Sequence, residues 1–272
     1  MGTRFNKLEL EPATTSSQPQ ETQIPAQQFM TSQVRLADEL HDSQYWMRQA
    51  DQSRRSGSFE EALKYYSRAV ELDRSLVAGW VGQVRMLIAL EEFSEGELWA
   101  RKALELFRNH VELNAARAQA LCRNGDMKNA QASCDAALGQ PGQSAYPWMV
   151  RGDLMLARKD AVEQHCFDKA VQLDADWIVL IEIAAIYQYY RRHAKALTRC
   201  KQASEKAPDQ AYCWYQQGVC EARMGLSKGA RQSLRQCLDL EPKHARAREA
   251  LRELDGGEGS LRKALGRLFG RG

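Results

Sequence analysis

The sequence has no long hydrophobic run: no apolar stretch approaches the roughly 20 residues needed to cross a bilayer. Its N-terminus lacks the apolar core of a secretory signal. None of its seven cysteines are spaced as C-x-x-C, which excludes a zinc knuckle and a thioredoxin-like motif. A chain of 272 residues can bury a core without disulfides. These absences predict a cytoplasmic protein whose cysteines are small buried residues.

Catalytic signatures are also missing. The sequence contains no glycine-rich phosphate loop, no nucleophile elbow and no pair of histidines at metal-ligand spacing. Its five histidines are scattered and are expected in turns or on helix surfaces. The net charge is only +3, so no strong field attracts nucleic acid or membranes. We therefore predict no enzymatic activity, no cofactor, no metal and no nucleic-acid partner.

Proline is scarce outside the N-terminal tail. Residues 1–30 hold three of the seven prolines, are rich in Gln, Ser and Thr, and contain few aromatics. Such a composition cannot bury enough surface to offset chain entropy, so the tail is predicted to be disordered. Residues 31–42 could form a lead-in helix. Apolar residues at helical spacing begin near residue 43 and continue to residue 254, and no segment reads as a strand.

Small residues recur along this helical region with a period close to 34 residues. Helices can approach closely only where small side chains cross, so the repeated positions predict a repeated helical hairpin. Glycines midway through three repeats supply the turns, and the later prolines fall near repeat junctions. The two main series are Ala50, Val84, Ala118, Gly152, Ala184 and Gly218, and then Ala69, Ala103, Ala137, Ala170, Ala203 and Cys237.

Tryptophan and a small residue in a first helix, two alanines in a second, and a following proline resemble the tetratricopeptide repeat. The stretch 56–73, SGSFEEALKYYSRAVELD, and the stretch 225–242, GLSKGARQSLRQCLDLEP, carry this resemblance. It implies an all-α fold, a right-handed α-α superhelix (solenoid) of about six hairpins and roughly 13 helices, with a polar capping helix. The solenoid is placed at 43–254, with repeats at 43–76, 77–110, 111–144, 145–176, 177–210 and 211–244 and the cap at 245–254.

Two repeats depart from the pattern. The third has Asn114 where the others favour tryptophan. The fourth is two residues short, and Glu163 interrupts a third series of small residues that runs through Ala62, Ala130 and Ala196. We expect the turn of repeat 4 and its packing on repeat 5 to be irregular.

The resemblance also implies a binding groove lined by one face of each first helix. Lys and Asn residues that form a chaperone-binding clamp in part of the family are replaced by Met47, Asp51, Val81 and Arg85. In the first three repeats the predicted groove is polar, and its residues include Asp51, Arg54, Arg85, Gln119 and Arg123. In the last three it is aromatic and apolar, with Tyr146, Met149, Ile178, Ile181, Tyr189, Tyr212, Tyr215, Val219 and Arg223. An apolar or aromatic segment of another protein is the expected ligand.

The C-terminal segment 255–272 joins a glycine-rich link to a short amphipathic sequence, LRKALGRLFG. Basic residues flank its apolar face, and the helix is too short to be stable alone. It is predicted to dock on a partner or on the solenoid, and the docking residues are Leu261, Leu265, Leu268 and Phe269.

Three non-enzymatic functions stay open on this evidence. The favoured one is a scaffold or adaptor that binds another protein. The second is a self-associating structural or assembly protein, and the third is a peripheral membrane protein attached through its C-terminal helix.

Overall fold

The computed structural model describes residues 41–142 and 144–256, and every helix in them lies within the unit Asp42–Gly272. These residues form 13 α-helices and contain no strand. In chain order the helices are α1 (Ser43–Arg55), α2 (Phe59–Leu72), α3 (Val77–Ala89), α4 (Phe93–Leu106), α5 (Val111–Arg123), α6 (Met127–Leu138), α7 (Ala145–Arg158), α8 (Glu163–Leu173), α9 (Trp177–Tyr189), α10 (His193–Lys206), α11 (Ala211–Arg223), α12 (Ser227–Leu240) and α13 (Ala245–Asp255).

Each predicted repeat contains one pair of helices. Every helix packs against the one before and the one after it, and the first helices of successive repeats also contact each other. The stack therefore buries one side of each hairpin against its neighbours, as a helical repeat protein must. The all-helical fold predicted from the sequence is confirmed.

The turn inside each hairpin depends on one residue with positive φ. Gly57, Gly125 and Gly225 adopt φ values of 75°, 86° and 75°. The residue after each of them donates its N–H to the carbonyl five positions earlier, as in a Schellman cap. In the other three hairpins the positive-φ residues are Glu91, Lys159 and Arg191.

Small residues permit the close helix crossings within the hairpins. Ala62 and Ala196 are fully buried, which confirms the expectation for Ala196. A Cβ added at Gly152 would lie 2.4 Å from a ring carbon of Phe167 on α8, so α7 and α8 could not approach so closely with a larger residue.

Histidine has a structural role that the sequence reading missed. His244 is buried, and its Nδ1 accepts a hydrogen bond of 3.1 Å from the backbone N–H of Ala247 at the start of α13. His110 makes the same kind of contact with Leu113 at the start of α5. Both side chains cap helix N-termini, so the expectation of a solvated histidine is wrong for His244.

Repeat 4 is irregular, as its length predicted. Three residues separate the two helices in each of the other hairpins, but four residues, 159–162, separate α7 from α8. Helix α8 has 11 residues, whereas the second helices of the other repeats have 12 or 14. The missing first turn of α8 leaves space beside the start of α10.

Candidate functional site

The predicted apolar groove is not open in this structure. Its residues belong to α7, α9 and α11, and most of them pack inside the described helices. These side chains therefore form no exposed apolar surface, and their role in binding a partner stays a prediction. The buried members are Tyr146, Met149, Ile178, Ile181, Tyr212, Tyr215 and Val219.

The two remaining members lie at the edge. Tyr189 is 43% exposed, and its ring packs edge-on against Phe93 at a centroid distance of 6.1 Å. Arg223 is half-buried, and its Nη1 donates to Oε1 of Gln188 at 2.9 Å. These two side chains mark the part of the predicted groove that solvent still reaches.

The groove is closed by side chains from the first two repeats. Arg54 and Arg85 both donate to the carboxylate of Glu182 on α9, the latter at 2.6 Å. The guanidinium of Arg85 also lies 4.1 Å from the ring centroid of Tyr146. The polar face predicted for repeats 1 and 2 therefore packs against the face predicted to be apolar in repeats 4 and 5. The arginines of the first face find a carboxylate and an aromatic ring on the second.

A second ion pair extends this contact. Arg55 donates to both carboxylate oxygens of Asp176, at 2.7 and 3.1 Å, and lies 4.7 Å from the ring centroid of Trp177. Asp51 accepts a hydrogen bond from the hydroxyl of Tyr66 within the first hairpin. Both side chains of α1 that were predicted to line the groove, Asp51 and Arg54, therefore have partners.

A buried polar network fills the centre. The carboxylate of Asp153 is completely buried and accepts hydrogen bonds from Gln119 at 2.9 Å, Arg123 at 2.7 Å and Tyr190 at 2.7 Å. Gln119 in turn accepts from the hydroxyl of Tyr146 at 2.8 Å. Both carboxylate oxygens of Asp153 accept hydrogen bonds, and such pairing is what allows a charge to be buried in the interior.

Electrostatics support a charged pair at this point. Burial lowers the pKa of Arg123, but the charge and hydrogen bond of Asp153, together with Tyr190 and Tyr189, outweigh it, and the pKa is raised. Burial and the same carboxylate raise the pKa of Tyr190, which therefore stays a hydrogen-bond donor. The network therefore ties α5, α7 and the turn after α9 together.

The first and last hairpins meet at a seam, which we define by Gly57, Phe59, Tyr212 and Arg246. The rings of Phe59 and Tyr212 pack edge to face at 6.5 Å. Arg246, on α13, donates to the carbonyl oxygen of Gly57 at 3.0 Å. A Cβ on Gly57 would lie 2.2 Å from a ring carbon of Tyr212, so the glycine permits this approach.

A different cleft opens at the turns of repeats 4 to 6. Its volume is about 500 Å³, and it lies beside the shortened start of α8. Neither the cleft nor its residues were predicted as a site. The two-residue deletion in repeat 4 and the carboxylate of Glu163 at a small-residue position were the available signals. The lining residues are Leu156, Lys159, Asp160, Ala161, Glu163, Arg191, Arg192, His193, Ala194, Lys195 and Met224.

The cysteines are buried and free, as predicted. Burial raises the pKa of Cys134 to about 12, so its reactive thiolate is scarce near neutral pH. Within residues 41–142 and 144–256, no three His, Cys, Asp or Glu side chains are grouped as metal ligands. In the same part of the chain, no helix is both long and apolar enough to cross a membrane. The predicted docking residues Leu261, Leu265, Leu268 and Phe269, the predicted N-terminal tail and residues 31–40 of the lead-in segment lie outside the described residues.

The stacked hairpins define the chain as an α-helical repeat solenoid. A family model described as tetratricopeptide repeat matches residues 43–76 and 211–244, the first and sixth hairpins. The chain therefore carries tetratricopeptide repeats at its first and sixth hairpins, and helical hairpins of similar length recur between them.

The similar solved structures include three proteins described as tetratricopeptide-repeat (TPR) proteins or domains. YrrB, a TPR protein with an unusual peptide-binding site, is 18% identical over 69% of this chain and 97% of its own, with a TM-score of 0.40. A tetratricopeptide repeat protein from Parabacteroides merdae is 16% identical over 79% of this chain and 84% of its own, with a TM-score of 0.49. The TPR domain of P58(IPK) is 16% identical over 79% of this chain and 65% of its own, with a TM-score of 0.38. A search of curated proteins found no match.

Proposed function

We propose that this chain is a non-enzymatic scaffold or adaptor that binds another protein. One observation carries the proposal: all 13 helices of the described residues belong to the six hairpins or to the cap that follows them. Two hairpins match a repeat family whose fold is a protein-interaction scaffold. What remains for function is the surface that the stack presents, and a surface of this kind recognises other macromolecules.

The partner would first meet the exposed edge of the stack. Tyr189 and Met224 are 43% and 40% exposed, and both lie where first helices end. Large apolar side chains at exposed positions favour protein contact when they stand beside charged groups. A cytoplasmic location and the absence of catalysis are parts of the same proposal.

Site-specific photo-cross-linking in the source cell tests this function. A photoreactive amino acid would replace Tyr189 or Met224 in the full chain. Matched controls would place it at Leu72 or Leu106, which are 45% and 59% exposed but lie on second helices. We expect adducts with a defined protein at the first two positions only. Adducts of equal yield at all four, or at none, would contradict a scaffold that binds through this edge.

A second mode is binding of an apolar or aromatic segment in the closed groove, on Tyr212 and Tyr215. The chain would have to open first, because both rings are buried. The ionic character of the closing contacts favours this mode. The side chains of Arg55 and Asp176 are 36% and 34% exposed, and an ion pair this exposed holds less firmly than an apolar interface.

The experiment for this mode compares binding before and after opening. Arg54→Ala with Arg55→Ala removes two closing contacts without changing an apolar groove residue. Tighter binding of the cross-linked partner by this variant, and its loss on adding Tyr215→Ala, would support entry into the groove. Unchanged affinity in the opened variant would exclude it.

Self-association is the remaining alternative. The turn of repeat 2 carries Glu91 and Glu92, and the turn of repeat 5 carries Arg191 and Arg192, so two copies could pair opposite charges. Light scattering of the full chain over a concentration series decides between the two cases. A constant monomer mass would leave the scaffold as the function.

A further inference from the structure

The cleft at the turns of repeats 4 to 6 exists because α8 starts late. Glu163, its first residue, occupies the position where Ala62, Ala130 and Ala196 fill the corresponding crossing in other repeats. Its side chain is only 4% exposed and pairs with Lys195 on α10. A carboxylate is bulkier than the methyl group it replaces, and the cleft lies beside it, between the start of α8 and the start of α10.

Positive charge surrounds the cleft. Lys159, Arg191 and Arg192 are exposed and form no ion pair with any residue that the structure describes. The two acidic residues that line it are already engaged, because Asp160 pairs with Arg158 at 3.3 Å and Glu163 pairs with Lys195. The free charges at the rim are therefore all cationic.

The lining also contains apolar surface and one unsatisfied polar atom. Met224 is 40% exposed and lies with Leu156 and Ala194 along the cleft. His193 contributes a buried Nδ1 that has no hydrogen-bond partner within the described residues. A buried polar atom without a partner is uncommon and carries a free-energy penalty, which a bound polar group could relieve.

Two of the cations beside the cleft occupy the positive-φ position of their hairpin turns. Lys159 and Arg191 adopt φ values of 62° and 56°, a region in which three of the other hairpins use glycine. A non-glycine residue there is strained by roughly 1 kcal/mol relative to glycine. Glu91 shows that a charged residue can occupy this turn elsewhere. Only in repeats 4 and 5, however, do cations take this position, and both line the same cleft.

We propose that this cleft binds an acidic segment of a partner protein in which an apolar side chain lies between carboxylates. The apolar side chain would contact Met224 and Leu156, and the flanking carboxylates would pair with Lys159, Arg191 and Arg192. A volume of about 500 Å³ accommodates a few residues of such a segment. The proposal rests on the proposed scaffold function and names the partner chemistry for its exposed edge.

The probe is a fluorescent peptide with a central leucine flanked on each side by glutamates, titrated with the full chain and followed by anisotropy. We expect saturable binding that weakens as salt rises. Replacing the glutamates with glutamine should abolish it. Replacing the leucine with glycine should weaken it by about tenfold, as expected when one partly buried apolar side chain is lost.

Two protein variants locate the site. Arg191→Glu with Arg192→Glu should weaken binding by more than about tenfold. The matched control, Lys201→Glu with Lys206→Glu, makes the same charge change at exposed positions on α10, away from the cleft, and should stay within about twofold of the parent. Met224→Asp adds negative charge at an exposed position and should also weaken binding. Circular dichroism establishes that each variant is folded.

Equal weakening by both charge-reversal pairs would show that the peptide senses only net charge, and would overturn the proposal. Equal binding of the glutamine peptide, or no binding of the glutamate peptide, would overturn it too. None of these results touches the scaffold function, which the cross-linking experiment tests separately. A concentration-dependent increase in mass that the Arg191 and Arg192 variant abolishes would instead assign the cleft to a second copy of this chain.

Discussion

Arg54 on α1 and Glu182 on α9 form an ion pair although 128 residues separate them in the sequence. Arg85 on α3 donates to the same carboxylate, so two first helices from one end of the stack contact one from the other half. Each repeat touches mainly its neighbours in an extended solenoid. The side chains of this chain add a contact between distant repeats, and the stack therefore closes on its own inner face.

Arg54→Ala with Arg85→Ala should open the stack. Glu182 would keep a largely buried charge with both partners gone, which we expect to lower the free energy of unfolding by about 1–3 kcal/mol. Small-angle scattering should show a larger radius of gyration. The control is Arg151→Ala, which removes an ion pair of 3.2 Å with Asp135 between neighbouring repeats. An unchanged radius in the first variant would mean that the ion pairs do not hold the closure.

The three turn glycines offer an internal comparison. Gly125→Ala and Gly225→Ala add a Cβ that meets nothing within 4 Å, so each should pay only the positive-φ strain of about 1 kcal/mol. Gly57→Ala adds the same strain and also places its Cβ against Tyr212. We expect it to lose about 1–3 kcal/mol more in chemical denaturation.

A double variant checks the cause of that difference. In a Tyr212→Ala background, Gly57→Ala should become no worse than the two control glycines, because the clash is gone. Equal losses for all three glycines in the parent chain would indicate that the seam between the first and last hairpins is not formed in solution.

The sequence sufficed for the helices because each hairpin repeats the same local pattern. Ala50, Ala62 and Ala196 mark crossings whether or not distant repeats touch, so periodicity alone places them in the core. The closure could not be predicted in this way. It depends on the sum of small rotations between successive repeats, and no local pattern links Arg54 to Glu182.

The misjudged groove has the same origin. Tyr212 and Tyr215 occupy positions that face outward from their own hairpin, and a reading of one repeat at a time leaves them exposed. They are buried because Phe59 of the first hairpin packs against Tyr212 and Arg246 of the capping helix packs over Tyr215. The cleft could be predicted only in part: the shortened repeat 4 predicted irregular packing there, but not the residues that line it. That cations from two turns meet there required the three-dimensional arrangement.

The packing at Ala196 gives a simple test of the repeat register. Ala196 is fully buried at the crossing of α9 and α10, so Ala196→Leu should overpack it and lower stability by about 1–3 kcal/mol. Ala194→Leu, two residues earlier on the same helix and exposed, is the control and should change little. Thermal melting of the two variants measures the difference, and equal melting temperatures would show that the register is wrong.

Removing the central carboxylate should have a larger effect than removing a surface one. Asp153→Ala leaves the buried guanidinium of Arg123 without its partner and also frees Gln119 and Tyr190, at a cost of about 3–5 kcal/mol. Asp135→Ala removes an exposed carboxylate whose side chain is 54% exposed and should cost less than about 1 kcal/mol. Urea denaturation of both variants checks this order, and a reversed or equal ranking would show that the central hydrogen bonds of Asp153 do not stabilise the fold.

Stability should fall on mild acidification, and His244 should be one cause. Its pKa is lowered from the usual value of 6.5, mainly by burial, with Arg246 adding to the effect against the opposing carboxylate of Glu241. The folded chain therefore binds fewer protons here than the unfolded chain. Its contribution is complete above pH 6.5 and is lost progressively as the pH falls below that value. Protonation of Nδ1 would also remove the acceptor that caps α13.

His244→Asn separates the cap from the titration. The asparagine oxygen can accept the same backbone hydrogen bond but does not take up a proton in this range. Between pH 7.5 and pH 5.5, we expect the variant to lose less unfolding free energy than the parent. The difference between the two slopes should stay below about 1.4 kcal/mol per pH unit, the limit for one titrating group. His193, whose pKa is also lowered by burial and by nearby arginines, should supply part of the remaining slope, which His193→Asn would remove. Parallel stability curves for the parent and both variants across this range would mean that neither histidine is held in its neutral form by the fold.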